Sequence, residues 1–355
     1  MGDEIDEERI VIDNGTFNIR AGFAGCDYPR TEFRTILGLH REKDEVIIGD
    51  YARHLGIHNS LVYPIRDGVV EDFESMRKIY DEVFKKDLCI EIAGNSVLVL
   101  DSALNNDQNR EMIATEFFEY FLIGSLSIQM QQLMSSFSLP SQTCLVVDIG
   151  FESYSLVPVC NGHTNRDLIV KVPIGGKDIK DRLFATLDAV GLNFHSREGL
   201  SIVEDMKCKS CNLTGNVSAI YELPDCTKVR LEESCVMAPE CLFNPSLINK
   251  QQLKGLHENC LEVINSELDQ DLSRIMAKQI YLIGSSSQFP GFSNRLNSLL
   301  KSDMLEFKSS ISGKPHHDAW LGGSVFASTS TFNQSCITRQ DYEEYGPSII
   351  NCKRL

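Results

Sequence analysis

The chain has 355 residues, 42% of them apolar and 24% charged, which suits two or three domains with buried cores and is far from a disordered composition. Lys plus Arg number 34 against 50 Asp plus Glu, a formal net charge of −16, which argues against the basic face that non-specific binding to nucleic acid or an anionic membrane requires. No run approaches the roughly 18 uninterrupted apolar residues of a membrane span, and residues 1–9 are acidic rather than a basic leader, so a soluble intracellular protein with reduced thiols is expected.

In chain order, Ile10-Val11-Ile12-Asp13-Asn14-Gly15 reads as a buried β-branched strand ending in Asp, and its Asn-Gly step predicts a hairpin into the strand-like run that follows. Over 72–88 the apolar residues Phe73, Met76, Ile79, Tyr80, Val83 and Phe84 recur at three and four, one face of a helix. Residues 96–101 read as a buried strand. Two apolar helices are expected over 109–123, capped by Asn109, and over 125–137. Leu145-Val146-Val147-Asp148-Ile149-Gly150 then repeats the opening strand–Asp–turn pattern and runs into a second strand over 154–159. Two such units suggest two similar domains. Farther on, the run EGLSIVEDMKCKSC reads as a helix, Leu261 to Met276 as one long helix, and 279–284 as a third buried strand. Alternating strands and helices give an α/β architecture with mixed sheets.

The twelve cysteines include Cys208-x-x-Cys211 with Cys226, Cys235 and Cys241 nearby. No second C-x-x-C or His pair closes a zinc site, so scattered thiols are the expectation.

An Asp that ends a buried strand before a tight Gly turn exposes a carboxylate and backbone N–H groups at one spot. Two such units could hold phosphates and reach a Mg²⁺ through water, with Gly284-Ser285-Ser286-Ser287 as a further small-residue turn for a nucleoside. Plain turn formers would leave the same local signature. No Walker A pattern and no G-x-G-x-x-G after a strand competes for that role.

The segments Val11-Ile12-Asp13-Asn14-Gly15, Arg20-Ala21-Gly22-Phe23-Ala24-Gly25, Tyr63-Pro64-Ile65-Arg66-Asp67-Gly68, Gly176-Lys177-Asp178, Trp320-Leu321-Gly322-Gly323-Ser324 and Tyr345-Gly346-Pro347-Ser348-Ile349 together resemble the actin family, in order from end to end. The resemblance implies the actin/Hsp70/hexokinase fold, two α/β domains with a cleft for Mg-ATP. It implies a small domain of 1–138 plus 318–355, carrying 35–63 as an inserted subdomain. A large domain of 139–317 carries 175–250. By the same resemblance Asp13 and Asp148 face the metal through water, and Gln131 and Asp148 are the vestigial catalytic set. Asn14, Gly15, Thr16, Arg20 and Gly150 meet the phosphates, and Gly176, Lys177, Asp178, Lys207, Gly284 and Ser285 the nucleoside side; the cofactor is ATP or ADP with Mg²⁺, weakly held.

Departures from the family pattern set the expected function. The first loop has Phe17 in place of a glycine and Arg20 in place of a lysine, and the second has Glu152 in place of a glycine. The family's acidic ribose contact is Cys208 here, its adenine-side lysine His316 and its water-coordinating histidine Ser155. The loop between Gly38 and Gly49 is short and charged. Leu247-Ile248-Asn249-Lys250 replaces an apolar plug, where Lys250 is costly unless paired. The expectation is an actin-related subunit of a cytoskeletal or other multiprotein assembly, with hydrolysis slow or absent. Its partners would be proteins, among them actin or other actin-related proteins, without direct nucleic acid or membrane insertion. It would be cytoplasmic and cytoskeletal, with the nucleus as the alternative. An active, polymerising ATPase and a subunit of a chromatin-remodelling complex are the competing readings, and a small-molecule kinase of the same superfamily lacks a candidate base.

Overall fold

A computed structural model describes residues 8–40, 46–54, 59–266, 269–301 and 305–354. The chain divides into two units. The first comprises Met1–Gln142, Asn161–Arg166 and His317–Leu355, the second Thr143–Cys160 and Asp167–His316.

In the first unit, strand Arg9–Asn14 turns back through Gly15-Thr16-Phe17 into antiparallel strand Asn18–Phe23, the hairpin that Asn-Gly signals. Thr31–Arg34 adds to the outer side of this hairpin, while Ser96–Asp101 and then Ser125–Met130 pair in parallel on the other side of Arg9–Asn14. Ile337–Thr338 completes the sheet beyond Ser125–Met130. Helix Phe73–Glu82, capped by Asp72 at Ser75 N (3.0 Å), continues as a π-helical turn Val83–Leu88. Its inner face contributes Met76, Ile79, Tyr80, Val83 and Phe84 to the same buried core as Ile10, Ile12 and Val99. Tyr80, Phe84, Phe117 and Phe121 form an aromatic cluster with ring centroids 5.0–6.4 Å apart, the geometry such rings prefer.

The second unit repeats the plan. Cys144–Ile149 pairs antiparallel with Tyr154–Val159, which pairs with Val170–Val172; Ile280–Ile283 and then Ser309–Ile311 pair in parallel on the other side. Both sheets thus carry a three-strand meander followed by two parallel strands. The repeated strand–Asp–turn–strand motif in the sequence is the start of each. Helices Gly176–Ala189, Arg197–Ser210 and Leu256–Ile264 cover a core of Val147, Ile149, Leu156, Leu183, Met206 and Leu282.

Three expected elements differ. Residues 125–137 are not one helix: Ser125–Met130 is a strand and only Gln131–Ser135 is helical. Ser-Leu-Ser-Ile-Gln-Met alternates with period two, and parallel pairing with Ser96–Asp101 satisfies its backbone. The helix expected over 109–123 begins at Asp107, its cap is Asn106, and a π-helical turn Glu116–Tyr120 ends it. Asn109 instead sends its side chain to the backbone of Val70. The single helix expected from Leu261 to Met276 is two, Leu256–Ile264 and Gln270–Lys278, and Leu268 lies outside the described residues.

Candidate functional site

In antiparallel pairing, residues directly opposite share a face of the sheet. Asp13 lies opposite Arg20, and Arg20 lies opposite Glu32, so the first meander lines up a carboxylate, a guanidinium and a carboxylate in one row. Arg20 Nη1 donates to Asp13 Oδ2 at 3.0 Å and its Nη2 pairs with Glu32 Oε1 at 2.8 Å. Gln131, the first residue of its short helix, donates from Nε2 to Asp13 Oδ1 at 2.6 Å. Asp13 is 3% exposed, and this burial raises its carboxyl above the ordinary range, against the lowering by Arg20 and Gln131. For Glu32 burial also opposes ionisation, yet the bonds from His317 and Asn18 and the charge of Arg20 outweigh it and bring the carboxyl down to about 2.

The other residues expected at the first turn divide by face. Asn14 turns away from Asp13 and donates from Nδ2 to the Tyr80 hydroxyl at 2.8 Å, leaving its own Oδ1 buried without a partner. Gly15 is required by space, since a Cβ there would stand 2.3 Å from Asn18 O. Thr16 accepts at Oγ1 from Gly68 N (2.9 Å), which ties the turn to the neighbouring Gly68 loop. Phe17 is not among the residues with positive φ, so it escapes the left-handed strain that replacing a glycine there threatens. The Arg34 guanidinium stacks over its ring at 4.0 Å.

In the second unit, Asp148 is opposite Ser155 and Ser155 opposite Lys171, so the equivalent row has no guanidinium. The turn after Asp148 is closed by Gly150 N donating to Ser153 O at 3.0 Å. Its carbonyls are held by the helix that follows, for Gly176 N donates to Gly150 O at 2.9 Å and Lys177 N to Phe151 O at 2.7 Å. Asp178 caps the same helix by accepting from Gly175 N at 3.0 Å. Lys177 Nζ stands 3.6 Å from Glu152 Oε1, the acidic residue in the loop. Lys207 is buried, with its Nζ 2.6 Å from Glu204 Oε1 and 3.3 Å from Gly176 O.

Gly284 follows its strand at φ +84°, and a Cβ there would meet Ile149 O at 2.5 Å and Asp148 Oδ1 at 2.7 Å. The third turn therefore abuts the second, with Asp148 between them. Ser285 is exposed at the start of the 3₁₀ turn Ser285–Gln288, and His316 Nδ1 lies 3.3 Å from Gln288 Nε2.

Each unit thus gathers its own share of the expected residues, Asp13, Gly15, Thr16, Arg20 and Gln131 in one and Asp148, Gly150, Gly176, Lys177, Lys207 and Gly284 in the other. Three residues that matter here carry no motif: Glu32, His317 and Glu204. Glu204 was legible as the i, i+3 partner of Lys207 on one helix. Glu32 follows only from strand register, and His317 only from the tertiary fold. Among the described residues, no group of three or more His, Cys, Asp or Glu side chains is placed to hold a metal ion. Cys211, Cys235 and Cys241 are buried, while Cys208 and Cys226 are exposed.

Duplicated α/β units, each ending a buried central strand in a carboxylate and a tight turn, define an actin-like fold. The family model described as Actin matches residues 4–355, nearly the whole chain, and the chain belongs to the actin family.

Proposed function

We propose that this chain is a subunit of a cytoskeletal or other multiprotein assembly, with a nucleotide site that holds ATP or ADP with Mg²⁺ weakly and in a structural role. The observation that carries the reading is charge pairing. All three basic side chains expected at the nucleotide already hold carboxylates within their own units: Arg20 on Asp13 and Glu32, Lys177 on Glu152, Lys207 on Glu204. A phosphate must compete with those carboxylates for the same cations, so little of the attraction remains as binding energy.

Asp13 and Asp148 would face the metal through water, and bound Mg²⁺ would neutralise phosphate charge. Both Asp13 oxygens already accept a hydrogen bond, though a carboxylate has about four lone-pair sites in all, so a metal-bound water still fits. The metal-bound water therefore has room at Asp13, while the phosphate must compete with the ion pairs that Arg20, Lys177 and Lys207 already make. Gln131, bonded to Asp13, is held as a structural partner of that carboxylate, which accords with hydrolysis that is slow or absent.

Thermal unfolding with and without Mg-ATP tests this. Stabilisation by a ligand follows RT ln(1 + [L]/Kd), so the expected rise in Tm is modest even at millimolar ATP. A large rise at micromolar ATP overturns the reading. Glu152→Gly, which frees Lys177, is expected to enlarge the shift.

Protein partners of the actin class fit this reading, in the cytoplasm and its cytoskeleton, with a nuclear assembly as the alternative. The sequence has no Lys/Arg-rich cluster of the nuclear-import kind. Among the described residues no helix is long and apolar enough to cross a membrane. A second reading, an ATP-hydrolysing filament former, is favoured by the survival of Asp13, Gln131 and Asp148 together in the sequence. Pelleting of the purified protein under salt and Mg-ATP separates the two. A monomer is expected, and robust filaments at low micromolar concentration would establish the second.

A further inference from the structure

Arg20 is held at both ends, and the outer hold is unusually complete. Glu32 Oε1 accepts from Asn18 Nδ2 at 2.8 Å as well as pairing with Arg20, and Glu32 Oε2 lies 2.8 Å from His317 Nε2. His317 stands at the entry to helix Asp318–Ala327, and Asn18 opens the strand that carries Arg20, so two elements fix the Glu32 carboxylate in place. The Arg20 side chain is 11% exposed and its Nε is buried without a partner. One guanidinium between two carboxylates leaves the row with a net charge of −1 when all three are ionised. An anion arriving at Arg20 meets that net charge rather than a free cation.

We propose that Glu32, positioned by His317 and Asn18, is an internal competitor for the Arg20 guanidinium and sets the affinity of the first turn for phosphate-bearing ligands. The inference rests on the nucleotide reading above and adds a determinant that lies in none of the nucleotide motifs. A phosphate and the Glu32 carboxylate draw on the same guanidinium charge, and Glu32 reaches it preorganised at no cost in translational freedom. Removing the charge while keeping the shape shifts that competition to the ligand. At separations of about 7 Å and an effective dielectric between those of protein and water, one like charge changes affinity about tenfold. Loosening Glu32 without removing its charge does less.

The test measures binding of Mg-ATP, ADP and inorganic pyrophosphate by calorimetry to the wild type, Glu32→Gln and His317→Ala, each checked for a folded circular-dichroism spectrum, at 0.05 and 0.5 M salt. Glu32→Gln is expected to bind each ligand about tenfold tighter at low salt and His317→Ala two- to threefold tighter. Both gains shrink at high salt, as a charge effect must and a mere change of packing would not. If Glu32→Gln does not fold, the His317→Ala gain and its salt dependence decide alone. Unchanged affinities in folded variants, or gains that ignore salt, overturn the inference while leaving weak nucleotide binding intact. No binding by the wild type, by either variant or by Glu152→Gly overturns the nucleotide reading and this inference with it.

Discussion

Lys250 Nζ lies 2.7 Å from Asp178 Oδ1, so the charge that stands out in the Leu247-Ile248-Asn249-Lys250 segment is paired within its own unit. The same ammonium donates to Pro173 O, and Arg182, midway along helix Gly176–Ala189, donates to Leu247 O, so the segment is held at both of its ends. Pairing removes the desolvation cost that an isolated lysine would carry there. It also gives Asp178 two structural tasks, since its other oxygen caps Gly175.

That double duty orders two substitutions. Lys250→Met loses one half-buried ion pair and should cost about 0.5–1 kcal/mol. Asp178→Ala loses the same pair and the helix cap, and should cost about 1–2 kcal/mol. Urea unfolding of the two single variants and the double variant measures both costs and their coupling. A coupling near zero would show that the ion pair contributes nothing, and equal costs would show the same of the cap.

Gly284 is constrained by backbone angle and by space together. Its φ of +84° lies where side chains are strained, and a Cβ would press on Ile149 O and on the Asp148 carboxylate. Gly284→Ala should destabilise the protein by about 2 kcal/mol or more. Gly191→Ala shares the positive φ with nothing within 4 Å of its Cβ, and should cost only about 1 kcal/mol. Their difference, read from denaturant midpoints, isolates the steric part, and a Gly284→Ala variant as stable as Gly191→Ala contradicts it.

The acid limb of stability carries a signature of Glu32. Its folded carboxyl is down to about 2 from an ordinary 4.5, so its contribution is present above pH 4.5 and is lost as pH falls toward 2. Asp13 acts with the opposite sign: its carboxyl is raised by burial, so its unfavourable share fades as pH falls. After screening, the Glu32 share is on the order of 1 kcal/mol, because the group is partly exposed. Glu32→Gln should therefore flatten the fall in unfolding free energy between pH 5 and pH 3. Superimposable curves for the two proteins would place the acid sensitivity elsewhere.

Thiol labelling follows burial. Cys26, Cys89, Cys208, Cys226 and Cys352 are exposed and should alkylate in the native protein. Cys144, Cys211, Cys241 and Cys260 should label only on unfolding, since burial raises their thiols, Cys144 and Cys241 to about 12. Mass spectrometry after a timed iodoacetamide pulse reads this directly. Rapid native labelling of Cys211 would mean that the helix Arg197–Ser210 opens on that timescale.

Much of the fold was legible because its signals are local. A β-branched run ending in Asp and a tight turn needs only neighbouring residues to read, and it occurs twice, so the duplicated strand–turn–strand unit is legible in the sequence, whereas the third strand of each meander is not. Ser125–Met130 was misread as helix. Its Ser-Leu-Ser-Ile-Gln-Met alternation is a local strand signal hidden by the apolar helix that follows, and parallel pairing with Ser96–Asp101 fixes it as a strand. The charged loop between Gly38 and Gly49 was legible as composition, but residues 41–45 lie outside the described residues.

For the site, the sequence by itself determined which side chains the chain can offer: two strand-end carboxylates, a glycine at each turn, and Arg20, Lys177 and Lys207 as cations. It could not determine whom those cations serve. The Glu32 pairing is set by strand register across three strands, Lys177 meets Glu152 where a helix start locks onto a turn, and Lys250 finds Asp178 across 72 residues of chain. A charge is a property of a residue, but its partner is a matter of a few ångströms, and those distances exist only once the tertiary structure has brought distant segments together.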